Sequence, residues 1–310
     1  SRVDVARAGI IRNPKAAITK TMTKAFRHVE RKAILTGCVN PENTMDVYCQ
    51  MQFLFGTFMG CTDFWHWRHA YFQKAGQFDW FPKRGVQSSI VKNVHKRCLV
   101  LTRKQAGLGE RVIRERRVIS LPVRVRRAYD ELEENWEIGN RMTKYIIVKM
   151  FWLHRIAGGI DGDFPHSKKT DCLIDLLRGE LQGQPTVVWF RYNAEIVACE
   201  RALSKVRIPF GTLVGKMDRQ KRDAVTGLFQ NGRWPVLLVQ ARCAMFGLDF
   251  SVADTAIYYS RYFDGEVNLQ TQDRIVHPKK KRPLLHVSLV VEDTIDEDIE
   301  AAVRKKKFQA

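Results

Sequence analysis

The sequence predicts an α/β fold built on a parallel sheet, and three observations predict it. Four short runs, at 186–190, 236–239, 255–259 and 285–291, are almost continuously apolar. That is the composition of strands covered on both faces. Segments with helical spacing, at 168–181, 194–203 and 221–229, precede or separate them. The separations are those of a strand, a crossover helix and a parallel return strand, which connect right-handedly.

Three zones follow one another along the chain. In residues 1–120, Asn13-Pro14 precedes a helical stretch at 15–31, and Ala33-Ile34-Leu35 forms a strand that runs into Thr36-Gly37. An aromatic-rich stretch covers 53–80, with Phe64, Trp65, Trp67, Tyr71 and Phe72. Trp67 and Tyr71 share a face if that stretch is helical. Core packing of a helical insertion is the expected role, and a base-stacking platform is the alternative. Apolar Val94, Cys98, Leu99 and Leu101 then lead to Thr102-Arg103-Lys104.

Residues 121–165 read as mostly helical. A strand at 118–121 is closed by Pro122. A helix runs through Tyr129, Leu132 and Trp136, and another covers 142–156 until Gly158-Gly159 ends it. Residues 166–310 carry the strand and helix alternation, and a short strand with a turn lies at Leu213-Val214-Gly215. The basic tail Arg304-Lys305-Lys306-Lys307 reads as a solvated helix end.

Composition narrows the partners. The chain has 310 residues, 45% of them hydrophobic, so a packed core is affordable. Its formal net charge is +19. A surface that basic gains affinity for a polyanion by releasing counterions, so nucleic acid is the expected partner. The seven cysteines are scattered and never form a CxxC pair, which argues against zinc and against a secreted disulfide framework. No apolar run approaches the ~20 residues that span a bilayer, so no membrane partner is expected.

Five short motifs occur in a telling order. Ile34-Leu35-Thr36-Gly37 comes first. The strand ending in Trp189-Phe190 follows, then Leu213-Val214-Gly215 with Arg219 and Arg222. Val239-Gln240-Ala241-Arg242 then leads to Gly247-Leu248-Asp249. Last is Gln270-Thr271-Gln272-Asp273-Arg274. This succession resembles the third to sixth motifs of superfamily 2 motors with RecA-like lobes. Within them it resembles the SNF2-like branch, in the short versions encoded by bacteriophages. The likeness covers nearly the whole chain and is strongest over 187–299.

The resemblance implies a part of an ATP-dependent DNA helicase or translocase. It implies a partial first lobe with a helical insertion in 1–120, a helical bridge in 121–165 and a whole second lobe in 166–310. ATP and Mg2+ would serve the intact enzyme. Duplex DNA would be gripped by its backbone. Phage replication or recombination proteins are the implied partners, and the host cytoplasm the implied location.

Residue by residue, the resemblance gives Thr36, Gly37, Gly247 and Asp249 a part in coupling the nucleotide to the lobes. Arg219, Arg222, Arg242, Lys279, Lys280 and Lys281 would touch DNA phosphates, which position a protein without reading sequence. Arg274 would act as an arginine finger on the transferring γ-phosphate, with Gln270 beside it. His277 stands where the family has a second Arg, and a histidine lacks the planar fork.

Departures from the family pattern are specific. Cys38-Val39 replaces the usual Thr-Pro, and Ala244-Met245-Phe246 replaces a glycine-bearing stretch. Ile11-Arg12-Asn13-Pro14 matches the segment that follows the family's Asp-Glu box, but only Asp4 is near it and no Glu follows. The phosphate-cradling Gly-x-x-x-x-Gly-Lys-Ser/Thr does not occur, so ATP hydrolysis by these residues alone is not expected. Two functions compete: a motor fragment whose sequence begins after that loop, and a module that binds DNA or a partner without hydrolysis.

Overall fold

The computed structural model describes residues 2–5, 11–35, 44–76, 79–99, 105, 112–277, 280 and 282–307, with the backbone alone at 2–5, 244–246 and 305–307. Two compact units divide the chain, one up to Thr102 and the other from Arg103.

In the first unit, β1 (Arg2–Val5) and β2 (Arg31–Ile34) pair in parallel, with α1 (Ala17–Ala25) between them in sequence. Thr36 and Gly37 lie outside the described residues. The aromatic stretch folds into α2 (Val47–Phe55), α3 (Phe64–Tyr71) and an antiparallel pair, β3 (Phe72–Ala75) and β4 (Asp79–Pro82), before α4 (Val86–His95). Asp63 starts α3 by accepting the Trp65 and His66 N–H groups. Trp67 is wholly buried among Tyr48, Phe58 and Phe72, whose ring centroids lie 5.0, 6.0 and 5.0 Å away. It is core, as expected, and has no face left for a base. The outer rings are also engaged, since the Arg68 guanidinium lies 4.7 Å from Trp65 and 4.1 Å from Trp80.

The second unit is a six-stranded parallel sheet, as expected. Its strands are β5 (Val112–Ile119), β8 (Thr186–Phe190), β9 (Phe210–Leu213), β10 (Val236–Gln240), β11 (Thr255–Tyr258) and β12 (Leu284–Val291), in the spatial order β5-β12-β11-β8-β10-β9. A two-residue antiparallel pair, β6 (Glu137–Ile138) and β7 (Arg141–Met142), lies apart from it. The helices are α5 (Val123–Asn135), α6 (Ile146–Ala157), α7 (Lys168–Arg178), α8 (Asn193–Lys205), α9 (Arg219–Gln230), α10 (Gly265–Asp273) and α11 (Ile295–Lys307).

Alternate strand residues serve opposite cores. Val188, Phe190, Leu238 and Ile257 pack with Leu132, Ile156, Leu173, Ile196 and Ile299. Val187, Trp189, Leu237 and Val239 pack with Phe229, Phe250, Val267 and Ile275. Covering both faces is what removed polar alternation from these strands. Strand β5 belongs to this sheet through eight register pairs with β12, whereas the division drawn at residue 120 placed it with the preceding zone. Its sequence, VIRERRVI, sets four charged residues between two apolar pairs, and as an edge strand it pairs with β12 alone. Gly159 follows the C-cap of α6 at φ +72°, in the left-handed region that glycine accepts freely.

Candidate functional site

The order in which strands are added switches sides at β8: β9 and β10 lie on one side of it, β11 and β12 on the other. In open parallel sheets such a switch point leaves a crevice at the carboxyl ends of the strands, where ligands bind. The residues just past β8, β10 and β11 meet there.

Tyr262, in the turn after β11, is the centre of the group. The Arg191 guanidinium lies 5.4 Å from its ring and that of Arg242 5.2 Å. Its hydroxyl donates to the Arg191 carbonyl at 2.9 Å and accepts from Gln240 Nε2 at 3.4 Å. Two cations on one ring give this edge a positive, partly exposed surface suited to an anion. Arg222 reaches the neighbouring turn by donating to the Gly215 carbonyl at 2.9 Å.

The loop from Gly247 to Asp254 is tied to the end of α10. The Phe250 N–H donates to the Arg274 carbonyl at 3.0 Å, which holds the loop just after Asp249 against Arg274. Gln230 Nε2 holds the Asp249 carbonyl at 3.0 Å, and the Asp249 carboxylate accepts the Ser251 N–H at 2.8 Å. Gly247 has φ +70°, so the left-handed turn expected of a glycine here survives at this one position. Gln270 donates to Glu266 at 2.9 Å, one turn earlier on α10.

The remaining sequence-predicted residues are spread out. Arg219 is 94% exposed and 3.7 Å from Asp223. Lys280, read from sequence as one of a run of exposed cations, is turned inward. Its side chain is 11% exposed, 2.8 Å from Asp254, and bonds the Ala253 carbonyl. Its charge is already met by a carboxylate, which removes it from an open phosphate-contact surface. His277 is half-buried in the loop after α10, and Lys279 and Lys281 lie outside the described residues.

Beneath Arg191 lies a buried polar network that sequence reading missed. Lys169 of α7 is 2.6 Å from Asp296 of α11, with side-chain exposures of 0% and 6%. His154 of α6 stands 3.4 Å from Asp296 through Nε2, and its Nδ1 is 2.9 Å from Arg191 Nη1. Arginine only donates, so Nδ1 accepts and the imidazole proton sits on Nε2, facing Asp296. Burial holds His154 below its ordinary pKa, which fits that neutral form. Burial alone would raise Asp296, but Lys169 and the adjacent His154 hold it well below the usual carboxylate range.

Glu195 of α8 accepts the Ser260 hydroxyl at 2.5 Å and the Tyr192 N–H at 3.1 Å, and Ser260 Oγ accepts the Arg191 N–H at 2.8 Å. Burial pushes Glu195 up to about 7, against the opposing pull of Lys169. The chain's only sequence signal for this network is the placement of Arg191-Tyr192 and Ser260-Arg261-Tyr262 directly after buried apolar runs.

Comparison with known proteins agrees with this architecture. Residues 168–279 match the model of the helicase conserved C-terminal domain. The helicase/translocase YwqA of Bacillus subtilis (strain 168) is 26% identical over 144 residues, 46% of this chain and 16% of that protein. Protein CHROMATIN REMODELING 19 of Arabidopsis thaliana is 23% identical over 142 residues, 45% of this chain and 19% of that protein. The matched stretch is therefore less than a fifth of either relative's length. The C-terminal part of the Fun30 ATPase domain superposes with a TM-score of 0.50 at 12% identity, over 63% of this chain and 90% of that one. The Sulfolobus solfataricus SWI2/SNF2 ATPase core, solved in complex with dsDNA, gives 0.50 at 16% identity over 99% of this chain and 67% of that one. The second unit thus has the fold of a RecA-like lobe, matches the helicase C-terminal model over 168–279, and is similar in fold to the SWI2/SNF2 ATPase core.

Proposed function

We propose that this chain is part of an ATP-driven DNA translocase of the SNF2-like type and supplies its helicase C-terminal lobe. The observation that carries the reading is the bond from the Phe250 N–H to the Arg274 carbonyl, which sets the loop after β10 against the end of α10. A charge felt by Arg274 is thereby linked to the 247–254 loop. Arg191, Arg242 and Arg222 give the same edge of the sheet a donor set suited to phosphates.

ATP fits this donor set at one point. Arg274, half-buried at the helix end with its backbone held, would stabilise the charge that develops on the γ-phosphoryl group. When bound, ATP supplies the free energy of phosphoryl transfer to water. This chain's residues orient and stabilise, and they move the loop. Among the described residues no three His, Cys, Asp or Glu side chains are grouped to hold a metal, so the reading assigns Mg2+ no ligand here. Duplex DNA as the track, a bacteriophage origin with replication or recombination partners, and a host-cytoplasm location are parts of the same proposal. Among the described residues no helix is long and apolar enough to cross a membrane.

The test is DNA-stimulated ATP hydrolysis by the natural protein that contains this chain, with Arg274→Ala as the perturbation. Loss of a finger is expected to lower turnover about 10³-fold with DNA affinity unchanged. Reduced DNA affinity with turnover intact would overturn the finger role. Tight DNA binding with no hydrolysis in the parent would favour the non-hydrolysing module.

A further inference from the structure

Away from that edge, the second unit encloses a cavity of about 120 Å3 beside β5. Arg114 and Arg116 of β5, Arg261 from the turn after β11, Gln272 of α10, and Glu300 and Arg304 of α11 line it. Arg114 pairs in register with His286 and Arg116 with Ser288, so these alternate residues project from one face of the sheet.

Four arginines line this cavity against two carboxylates, Glu115 and Glu300. Arg116 bonds Glu297 and lies 3.3 Å from Glu300, while Arg304 reaches Glu300 at 3.8 Å. Glu300 is thus shared by two arginines, Arg116 has Glu297 as well, and Glu115 pairs with Arg117. Arg261 has no ion pair among the described residues. It donates to the Ser288 hydroxyl at 2.9 Å and lies 3.5 Å over the Tyr258 ring. Its Nε is buried with no hydrogen-bond partner. Arg114 likewise has no ion pair among the described residues. Burial lowers Arg261 from the ordinary arginine value; Tyr258 and Glu300 oppose that shift and Arg114 adds to it. Holding two guanidinium groups near each other, one of them out of water, is costly unless an anion completes the site.

We propose that this cavity is a binding site for a phosphate-class oxyanion, either free or as the terminal phosphate of a nucleic-acid strand. The planar guanidinium fork matches a tetrahedral oxyanion through paired N–H donors. Two arginines without carboxylate partners match a dianion better than a monoanionic diester. The Gln272 side chain lines the same space and supplies a neutral donor. The volume is several times the ~10–15 Å3 that one water requires. The inference stands apart from the translocase reading, because its residues are not those of the switch-point edge.

Inorganic phosphate is titrated into the purified chain by calorimetry at constant ionic strength, with sodium chloride as the control. One saturable site is expected, with sulfate competing and chloride not. Arg261→Gln and Arg114→Gln are each expected to weaken phosphate about tenfold or more, the loss of one charge-assisted hydrogen bond. Arg114 is exposed, so its variant keeps the test open if Arg261→Gln does not fold. Oligonucleotides with and without a 5′-phosphate identify the source. Preference for the phosphorylated strand, lost in Arg114→Gln, assigns the site to a strand end. Equal affinities alongside retained phosphate binding assign it to a free oxyanion. Absence of saturable phosphate binding at millimolar concentration, or binding that survives both substitutions, overturns the proposal.

Discussion

Replacing Asp296 by Asn removes one charge from the buried network with almost no change of shape. The amide oxygen still accepts the Val291 N–H, which the Asp296 carboxylate holds at 3.1 Å. Lys169 then loses its only carboxylate within ion-pair distance among the described residues, retaining the Tyr259 carbonyl at 3.1 Å, on a side chain that is 0% exposed. Breaking a buried pair by removing one partner costs about 3–5 kcal/mol, because the remaining charge stays desolvated. For a unit of this size each kcal/mol shifts the midpoint by about 2–4 °C, so Tm is expected to fall by roughly 6–20 °C. Urea and thermal unfolding, followed by tryptophan fluorescence, measure both quantities. The pair Lys169→Met with Asp296→Leu removes both charges and is expected to recover most of the loss. The pH dependence carries a sign. Asp296 is held below its unfolded value, so its contribution is present above the unfolded carboxylate pKa of about 3.9 and is lost as pH falls through the folded one. The gap between parent and variant should therefore narrow only in acid. A variant within about 1 kcal/mol of the parent, or a double variant as unstable as the two singles added, would refute the reasoning.

Other outcomes follow from the same geometry. Glu195 has its pKa raised to about 7, so its contribution is fully present below the unfolded value near 4.3 and is lost as pH rises through 7. Glu195→Gln is expected to be more stable than the parent at pH ~8, by up to roughly 3 kcal/mol, with the gap closing toward pH ~4; a pH-independent difference in urea midpoints contradicts this. Gly159→Ala places a Cβ 2.1 Å from the His166 carbonyl at φ +72°, and a loss of about 3 kcal/mol or more is expected in the same unfolding assay. Arg191→Gln and Arg242→Gln are each expected to weaken duplex DNA binding and to reduce the slope of log K against log salt by about 0.9, as read by fluorescence anisotropy. Unchanged slopes would show that neither side chain meets a phosphate.

How much of this was legible follows from what each segment had to satisfy. The central strands could be read because burial on both faces leaves Thr186 as the one polar residue in TVVWF and none in VLLV. Strand β5 is legible only at its end, where the strand read at 118–121 overlaps it at Val118 and Ile119; the charged run from Arg114 to Arg117 carries no strand pattern. Helix α10 was hidden. GEVNLQTQD has no apolar stripe, since Asn268, Thr271 and Gln272 are themselves buried with Val267. Arg274 could be singled out only from motif order. Arg191 and Tyr262 could not, as one lies a residue beyond β8 and the other in the turn after β11. His154, Lys169, Glu195 and Asp296 each sit on a different helix and read singly as surface charge; burial becomes affordable only when all four meet.

The five residues from Tyr258 to Tyr262 join these features. Tyr258 stacks under Arg261 at the oxyanion cavity. Tyr259 holds α7 twice, its carbonyl taking the Lys169 ammonium and its hydroxyl meeting Thr170 at 3.0 Å. Ser260 bridges Glu195 and the Arg191 N–H. Tyr262 carries Arg191 and Arg242 at the switch-point edge. Tyr258 ends β11 and the four residues after it form a turn, so one short segment touches both basic clusters. A shift of Arg261 toward an anion therefore acts on the backbone that also sets Tyr262. Coupling requires only that this short segment have two arrangements, each favoured by a different ligand. The buried network opposes such freedom by pinning Tyr259 and Ser260. Variants that loosen it, Asp296→Asn above all, should then weaken communication between the two clusters before they abolish binding at either.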